Sequence, residues 1–503
     1  MRGTTSSSTC LRLLALAIMS ARVASAADTP SPNDPIEKPD CDSTLEVSYR
    51  YSSSSERLYV ESGDGSTRGG CTTLSEIWAF QNGEGPLFAV DASSGDVSET
   101  ETGTWLLTEA LYVEDGITLQ ACCADVHGTS VGGDADELRL LSTEETVINL
   151  RAYGGSLDFL ATKVFSWDTD SNGPDKNETD GRSYISAISE VVIDESCAKS
   201  EMGVARMDIE DSEMGYLGYT NSESYGLTWK VRGFCRDQSN PEIFDDVNVY
   251  GNIYNSDIHH NNYGVYTYGH QQGDWRNNKM HDNSGYGFDP HDDSDFLTIH
   301  DNEVYNNGLH GIIASKRCNG VSIQGNEVYG GDTPSAGIFL HRSTDDAIVK
   351  DNYCHDNGDA GMALLESFNA DVSGNRFEDN KYGIRLALGC GSNVFSKNVI
   401  SDSSLYNVFT YEGSDVVDAA ESGRSQNNVF SDNEIGGGEE SIKLKEADGT
   451  EFIDNVFTDA SSIRFDNSTG TLMKRNIGLD DVDMEVDDAC FDSSSDSEFE
   501  PHC

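Results

Sequence analysis

An asparagine recurs through the second half of this chain at nearly constant intervals, and this repeat restricts the possible folds more than any other feature. From about residue 250, each unit reads as Asn, any residue, an apolar residue, a short polar stretch, and then Gly with an apolar pair. The intervals run from 21 to 26 residues, with a single gap of 35. The repeated position is occupied by Ser256, Asn278, Asn302, Asn326, Asn352, Asn375, Asn398, Asn433, Asn455 and Asn476.

Units of this length predict an all-β fold, a right-handed parallel β-helix. Short runs of alternating apolar residues, bounded by Gly, Asn and Asp, are typical of strands and turns. Such a short unit cannot bury its own apolar face, so it must stack on its neighbours. Each Asn would then lie roughly 4.8 Å from the next, where side-chain amides can form a hydrogen-bonded ladder. A leucine-rich solenoid would need a Leu consensus, which is missing, and a propeller would need longer blades.

Composition and terminal patterns divide the chain into four segments. A positive start, the apolar run Leu13 to Met19 and the small residues Ala24 to Ala26 are typical of a secretory signal. A solenoid needs a cap over its open end, and TTLSEIWAF (72–80) predicts a short helix there. The predicted segments are a signal peptide (1–26), an N-terminal cap region (27–95), a β-helix catalytic domain (96–477) and an acidic, Ser-rich, mobile tail (478–503).

Charge narrows the classes of partner. The formal net charge is −55, and it becomes −58 after loss of a signal that holds three arginines and no acid. Such a charge repels nucleic acid and anionic membranes, and the apolar run is too short to span a bilayer. Export favours disulfides among the eleven remaining cysteines, and the sequons at Asn177 and Asn467 could carry N-glycans. We therefore predict a secreted monomer of the extracellular matrix or cell wall.

The register of the units predicts that the loops after each second strand stack in one column on one wall. These loops are TYGHQQG (267–273), DPHDDSD (289–295), ASKRCNG (314–320), LHRSTDD (340–346) and LESFNAD (365–371). The column collects His270, Asp289, His291, Lys316, Arg317, His341, Arg342 and Glu366. Polar groups repeated on one wall favour binding of a long polymer.

Cations in this column indicate the charge of the ligand. Lys316, Arg317 and Arg342 on so acidic a chain favour an anionic polymer with regularly spaced charges, such as a polyuronate. The alternative is that these cations only neutralise nearby acids, which are Asp292, Asp293, Asp345 and Asp346. As substrate-binding residues we predict His270, Asp292, His341, Arg342 and Glu366.

The segment YGFDPHDDS (286–294) places a phenol, two carboxylates and an imidazole at one turn. The hydrogen alpha to a uronate carboxylate can be removed once a Lys or Arg neutralises that carboxylate. His291 suits the base, Tyr286 could donate a proton to the opposite sugar face, and Asp289 could orient the imidazole or bind substrate. Ideal strand alternation would turn Tyr286 inward with Phe288, but a place in the preceding turn would free it, so its direction stays open.

A polar loop, DTDSNGPDKNETD (168–180), resembles the start of a calcium-binding loop through Asp168, Asp170 and Asn172. Its twelfth position is Thr179 rather than Glu, and no helices are predicted to flank it. We therefore expect no cofactor, with calcium as the alternative.

The residues 286–293 (YGFDPHDD), followed by 310–317 (HGIIASKR), resemble the mannuronan C5-epimerases that modify alginate, including the secreted brown-algal kind. Weaker similarity covers roughly residues 100–400. The resemblance implies a right-handed β-helix and cofactor-independent inversion at C5 of mannuronate within the polymer, giving guluronate. It implies catalytic roles for Tyr286, Asp289 and His291. The carboxylate-neutralising Arg of the family aligns with Lys316, one place before Arg317. We favour Arg317, because a guanidinium grips a carboxylate at two points, but strand alternation could instead direct Lys316 towards the ligand.

Three other functions fit parts of the same pattern. A polysaccharide lyase shares proton abstraction at C5 but expels the 4-O substituent. A polygalacturonase-type hydrolase needs spaced acidic pairs and a Gly-His-Gly motif, and neither is present in suitable form. A non-catalytic polysaccharide-binding β-helix would bind polymer without proton exchange.

Overall fold

Three long sheets wind around one axis, and each coil of the chain contributes a strand to each sheet. The computed structural model describes residues 34–38, 40, 42, 44–63, 69–122, 135–190, 192–193, 199–200, 203–221, 223–232, 247–413, 422–486 and 489–492. The predicted signal peptide lies outside these residues.

Among the described residues, the first half of the chain forms one helix and eighteen strands. They are β1 (Val47–Ser52), β2 (Arg57–Ser62), β3 (Gly70–Thr73), α1 (Leu74–Gln81), β4 (Leu87–Ala89), β5 (Thr104–Leu107), β6 (Ala110–Val113), β7 (Ile117–Cys122), β8 (Glu137–Leu141), β9 (Asn149–Tyr153), β10 (Ser156–Leu160), β11 (Lys163–Asp168), β12 (Gly173–Pro174), β13 (Tyr184–Glu190), β14 (Val192–Ile193), β15 (Lys199–Ser200), β16 (Arg206–Glu210), β17 (Glu213–Gly215) and β18 (Gly226–Arg232).

The second half is built from shorter strands, most of them three residues long. They are β19 (Ile253–Tyr254), β20 (Asp257–His259), β21 (Tyr263–Tyr268), β22 (Asp274–Arg276), β23 (Lys279–His281), β24 (Phe288–Asp289), β25 (Thr298–His300), β26 (Glu303–Tyr305), β27 (Ile312–Ser315), β28 (Ser322–Gln324), β29 (Glu327–Tyr329), β30 (Ile338–His341), β31 (Ile348–Lys350), β32 (Tyr353–His355), β33 (Ala360–Leu365), β34 (Asp371–Ser373), β35 (Arg376–Glu378), β36 (Tyr382–Ala387), β37 (Val394–Ser396), β38 (Val399–Ser401), β39 (Tyr406–Tyr411), β40 (Ser425–Gln426), β41 (Val429–Ser431), β42 (Glu434–Gly436), β43 (Glu440–Lys445), β44 (Ala447–Asp448), β45 (Glu451–Ile453), β46 (Val456–Thr458), β47 (Ser462–Asp466), β48 (Thr471–Lys474), β49 (Asp483–Val486) and β50 (Ala489–Asp492).

Sheet topology confirms the predicted parallel β-helix. Sheet 1 has the order β1-β2-β6-β9-β13-β18-β21-β24-β27-β30-β33-β36-β39-β43-β47-β49. Sheet 2 has the order β3-β7-β10-β16-β19-β22-β25-β28-β31-β34-β37-β41-β45-β48-β50, and sheet 3 the order β4-β5-β8-β11-β17-β20-β23-β26-β29-β32-β35-β38-β42-β46. Along these sheets the pairs β1–β2 and β4–β5 are antiparallel.

The repeated asparagines form the predicted ladder at the corner between sheets 2 and 3. Nδ2 of Asn302 donates to Oδ1 of Asn326 at 2.9 Å and to the carbonyl of Trp275 at 2.9 Å. The Oδ1 of each Asn also accepts the backbone N–H of the coil before it, as in Asn302 N to Asn326 Oδ1 at 3.0 Å. Because each amide closes hydrogen bonds to both neighbouring coils, the ladder fixes the register of the stack.

A second, shorter ladder lies at the corner between sheets 3 and 1. Asn283 Nδ2 donates to Asn307 Oδ1 at 2.9 Å, and Asn357 Nδ2 donates to Asn380 Oδ1 at 3.1 Å. This ladder sets the position at which the chain enters each strand of sheet 1. The corner from sheet 1 to sheet 2 carries the candidate site.

Inside the coils, apolar side chains from all three sheets form a continuous core. Strand alternation sends every second side chain inward. Phe395, Phe430 and Phe452 illustrate the stacking, with ring centroids 4.6 Å and 4.9 Å apart. Cys318, Cys354 and Cys390 lie in this interior as buried thiols, and burial raises the pKa of each.

The solenoid extends past both predicted boundaries. In the segment predicted as a cap, β2 and β3 already pair in parallel with β6 and β7, so the first coil begins before residue 96. In the segment predicted as a mobile tail, β49 and β50 continue sheets 1 and 2 to Asp492. Acidic composition suggested a tail, but pairing with the preceding coil satisfies the backbone of these strands.

The short helix predicted at 72–80 is present as α1. Thr73 caps its first turn, accepting the N–H of Glu76 at 3.2 Å, while the Glu76 carboxylate accepts the N–H of Thr73 at 3.1 Å. This reciprocal pair is a capping box. Among the described residues, no helix has the length and apolarity that crossing a membrane requires.

Candidate active site

The loops that follow the strands of sheet 1 stack as predicted. His291 forms a parallel bridge with Ser315, and Ser315 pairs with His341 in the next coil. In the following position, Lys316 N–H donates to the carbonyl of His341 at 2.8 Å. The turn residues Asp292, Lys316, Arg342 and Glu366 all have positive φ, from 35° to 63°, so the same left-handed bend recurs and brings successive side chains into one column.

Alternation in β24 decides which group faces the outside. Phe288 points into the core and stacks on Trp275, with centroids 5.6 Å apart and 15° between the planes. Asp289 therefore points outward. Tyr286 precedes β24 and is not held to the alternation, so it also faces outward; its ring is stacked on His310 at 5.5 Å and lies edge-on to Tyr263 at 5.0 Å.

Asp289 lies at the bottom of a cluster of tyrosines, with 1% of its surface exposed. Burial raises the pKa of its carboxyl to about 7, against the opposing fields of His291 and Lys316. Its Oδ1 has no hydrogen-bond partner among the described residues. The phenols of four nearby tyrosines have raised pKa values, mainly because they are buried and secondly because a charge on Asp289 would lie close to them. They are Tyr225, Tyr263, Tyr266 and Tyr286. A carboxyl group of this kind holds its proton near neutral pH and can donate a hydrogen bond.

His291 is held by the carboxylate that follows it. Its Nδ1 lies 2.5 Å from Oδ2 of Asp292, so donation from Nδ1 leaves Nε2 as the basic nitrogen. The other oxygen of Asp292 accepts from Nη2 of Arg317 at 2.9 Å. Burial raises the pKa of Asp292, but the hydrogen bond from His291 and the fields of Lys316 and Arg317 outweigh it, and the net pKa lies below the ordinary value.

An adjacent His–Asp pair is not by itself a sign of catalysis in this fold. His300 with Asp301, and His355 with Asp356, form the same contact at 2.9 Å and 2.7 Å at other corners of the coils. His291 differs in its surroundings, because it lies beside the buried Asp289 and its ring is 5.7 Å from that of Tyr266.

The structure separates the two candidate cations. Arg317 Nε and Nη2 bind both oxygens of Asp293 at 2.9 Å, in addition to the contact with Asp292. The guanidinium of Arg317, whose two-point grip was the reason to favour it as the carboxylate-neutralising group, is thus occupied by acids of this chain. Lys316 forms no ion pair within the described ranges, and its field lowers the pKa of both Asp289 and Asp292. The geometry therefore favours Lys316 as the cation that faces a ligand.

Two predicted ligand-binding residues lie inside the fold, so those predictions are wrong. His270 has no exposed surface, and its ring packs 6.1 Å from Trp229 and 5.5 Å from Trp275. The bend at Gly269, with φ 74°, turns it inward, and burial lowers the pKa of its imidazole to about 3. Glu366 is also fully buried. Neither side chain can touch a polymer on the outer face.

The remaining predicted binding residues keep part of their surface exposed. His341 lies on the outer face, with Nδ1 2.8 Å from Oγ of Ser315 and its ring 5.2 Å from Phe339. Arg342 follows it in the turn, one coil above Arg317, whose N–H donates to the Arg342 carbonyl at 3.0 Å. Asp292 is occupied by His291 and Arg317, so its carboxylate holds both of these side chains in place.

An apolar floor extends from Asp289 along the outer face of sheet 1. It is a separate cluster of Ile313, Ala336, Phe339, Ala360 and Ala363, against which Tyr286, Leu365 and Tyr382 pack. Together with the tyrosines and the stacked turns, this floor defines what we call the groove.

Sequence reasoning missed His310 and most of the tyrosines. His310 Nδ1 accepts the N–H of Ala336 at 2.9 Å, and burial, with weaker effects of Arg385 and His341, lowers its pKa to about 3. It is therefore a neutral imidazole with its proton on Nε2, stacked on Tyr286. Alternate spacing in YGVYTY (263–268) was the available signal for Tyr266 and Tyr268, which share the outward side of β21.

The predicted calcium loop is a hairpin turn between β11 and β12. Asp168 pairs with Gly173 across it, and the Asp168 carboxylate accepts the N–H of Asp170 at 2.9 Å. Asn172 adopts φ 48° and donates to the carbonyl of Ser93 at 3.3 Å. Within the described ranges, no three His, Cys, Asp or Glu side chains converge as metal ligands would.

Residues 243–400 match the family model described as a right handed beta helix region. A mannuronan C5-epimerase of Pseudomonas putida is 30% identical over 205 residues, 40% of this chain and 38% of that protein. The mannuronan C5-epimerase AlgG of Azotobacter vinelandii is 29% identical over 297 residues, 58% of this chain and 50% of that protein. The chain thus matches half or less of the length of these curated relatives.

A solved structure supports the fold over a longer stretch. The periplasmic alginate epimerase AlgG superposes with a TM-score of 0.61 at 20% identity, covering 86% of this chain and 85% of that one. At this identity the match establishes the fold, a right-handed β-helix, and the chemistry has to be argued from the groove.

Proposed function

We propose that this chain, a homologue of the mannuronan C5-epimerases, converts β-D-mannuronate to α-L-guluronate within alginate. One observation carries the proposal most directly. Asp292 holds Nδ1 of His291 at 2.5 Å, and the charges of His291 and Lys316 both act on the buried Asp289 carboxyl, while Lys316 forms no ion pair among the described residues. A base, an acid and a cation on one wall are what inversion next to a carboxylate requires.

The groove provides a binding surface for a polymer with one carboxylate on each sugar. Its floor is apolar, whereas the surrounding protein is strongly acidic. Lys316 and Arg342 stand on the stacked turns beside that floor. A local cationic wall on an acidic protein selects a ligand whose charges can lie against it and repels binding elsewhere.

The first chemical step is removal of the C5 proton. We assign it to Nε2 of His291, with Asp292 stabilising the imidazolium that forms. The electron pair of the C5–H bond moves into the sugar carboxylate, giving an enolate-like dianion. Lys316 and the neutral Asp289 carboxyl stabilise that charge, the first by its field and the second by donating a hydrogen bond.

The second step returns a proton to the opposite face of C5. Tyr286 is our choice of donor, because burial raises the pKa of its phenol and keeps it protonated. The proton on His291 and the phenolate of Tyr286 then re-equilibrate with solvent, so the enzyme is restored without a net change in protons. We assign no cofactor to these steps.

The same proposal includes location and partners. A −58 chain with a predicted export signal and a polyuronate groove is best placed outside the cell, in the matrix or wall where alginate is found. We propose that it acts as a monomer, because one chain supplies every group assigned above.

The test is incubation of purified protein with polymannuronate in heavy water, followed by proton NMR. Epimerisation predicts deuterium at C5 and new guluronate signals. An absorbance rise from an unsaturated sugar would instead identify a lyase, and polymer binding without deuterium uptake would identify a binding module.

Variants connect the activity to the groove. We expect His291→Ala to lose turnover and retain polymer binding. His300→Ala is the matched control, since His300 makes the same contact to the following Asp on another sheet, and it should remain active. Full turnover in His291→Ala would remove His291 from the mechanism.

A further inference from the structure

Four aromatic rings cover the outer face of sheet 1 on two adjacent coils, at β36 and β39, where the apolar floor of the groove ends. Phe409 is the central ring: Tyr382 stacks on it at 5.3 Å and 13°, Tyr406 lies 5.0 Å away, and Tyr411 lies 5.3 Å away. Each of the four is half-buried and keeps part of its surface exposed. We call this set the aromatic platform.

The platform differs from the ring stack inside the coils in its exposure. The core stack of Phe395, Phe430 and Phe452 is fully buried, whereas the platform rings are half-buried. The platform rings lie outside the coils, on the same sheet as Asp289. Stacked rings with exposed surface offer a flat apolar area, which suits the C–H faces of a pyranose ring.

Charge along sheet 1 indicates which ligand reaches the platform. Between β24 and β39 the structure describes every outward strand position, and Asp289 is the one acid among them. On the next two coils, Glu440 and Asp466 face outward. The acid-poor stretch of sheet 1 therefore includes the candidate active site and ends at the platform.

Cations lie at the edges of the platform. Lys381 Nζ lies 5.0 Å from the ring centre of Tyr382, and Arg385 lies 5.9 Å from it. Arg385 also binds Asp359 at 2.9 Å, whereas Lys443, on the following coil, has only a loose contact of 3.7 Å with an exposed Asp466. Two lysines beside flat rings fit a sugar that carries a carboxylate.

The distance from the reacting groups separates the platform from the chemistry. Asp289 and Phe409 occupy outward positions five strand steps apart along sheet 1. At roughly 4.8 Å a step, the separation is about 24 Å. A single sugar at Asp289 cannot reach the platform, but a polymer lying along the groove can.

We propose that the aromatic platform is a distal binding site for the polyuronate chain whose other sugars occupy the groove. The inference rests on the proposed function in that the same polymer is bound, and it adds where that polymer is held. The rings stack on sugar faces while Lys381 and Lys443 pair with carboxylates. The platform acts on affinity for long chains and has no part in proton transfer.

The experiment compares the dissociation constants of two polymannuronate oligomers by calorimetry. One has about three sugars, too short to span about 24 Å, and the other has about twelve. In the wild type, the longer oligomer binds more tightly. A double variant, Tyr406→Ala with Phe409→Ala, should lose about tenfold or more of its affinity for the longer oligomer, and the ratio of the two constants should fall towards one.

Two further variants guard against a folding artefact. Phe409→Tyr keeps the ring and should keep the gain with length. Tyr305→Ala with Tyr329→Ala removes a stacked pair, 5.3 Å apart, from the outer face of sheet 3, and should leave the gain intact.

The outcomes separate this inference from the proposed function. A wild type without dependence on length, or a double variant that keeps the wild-type ratio, overturns the platform even if deuterium enters C5. Length-dependent binding that the double variant abolishes, in a protein that exchanges no deuterium, supports the platform and rejects the epimerase.

Discussion

Replacing Asp289 by Asn tests the buried carboxyl on which the proposed site depends. In the unfolded chain this group ionises near 3.8, and in the folded chain near 7. Between these values the folded state holds one more proton, so the stability that this group contributes is complete below 3.8 and is lost as pH rises to about 7. At about 1.4 kcal/mol per pKa unit, the loss amounts to ~4 kcal/mol.

The Asp289→Asn variant has no such group and does not lose this stability. Its free energy of unfolding, relative to that of the wild type, should therefore increase as pH rises. Urea unfolding followed by tryptophan fluorescence suits the measurement, because Trp275 lies in the core next to Phe288. Between pH 5 and pH 7 we expect the difference to change by ~2 kcal/mol, and above pH 7 to level off. Asp301→Asn removes the same charge from an exposed turn and reports the effect of net charge alone. A difference that stays flat from pH 5 to pH 8 would show that Asp289 is ionised throughout and cannot donate a hydrogen bond.

Three further results are expected. Lys316→Ala should lower kcat by about 10²- to 10³-fold, as expected for a lost charge stabiliser, and Arg317→Ala should lower it less, because Arg317 acts through Asp292; the reverse order would restore Arg317 as the neutralising group. Asp292→Asn should lower kcat by about 10²-fold or more with a smaller change in KM, and unchanged turnover would contradict its positioning of His291. Asn326→Ala should reduce the free energy of unfolding by about 3–5 kcal/mol, since its side chain closes four hydrogen bonds between coils, and a loss below about 1 kcal/mol would mean that the ladder contributes little to stability.

The fold could be predicted because its main determinant is repeated in the sequence. A ladder of amides needs an Asn at one position of every coil, and the intervals from Asn278 to Asn476 show it directly. The second ladder through Asn283 and Asn307 was harder to find, because it is interrupted and its residues resemble ordinary turn residues. The ends of the solenoid were misplaced because their strands lack the repeat.

The sequence predicted which turns of the candidate site lie next to each other, but not whether each side chain points outward or into the core. Stacking of the turns placed His291 beside Lys316, as expected from the spacing alone. Whether a side chain points in or out depends on where each bend falls, and one left-handed glycine sends His270 into the core. The sequence also could not show which acids of the chain bind each cation. In the structure, Asp292 and Asp293 occupy the guanidinium of Arg317.

The asparagine ladder makes the coil a unit of length. A further copy of one unit, inserted between β33 and β36, would continue both amide ladders and shift the distal coils outward by about 4.8 Å, leaving the neighbours of Asp289 in place. Duplication of a single repeat would thus lengthen the polymer footprint in fixed increments, and chains of this architecture can change their preferred substrate length without altering the residues that carry out the reaction.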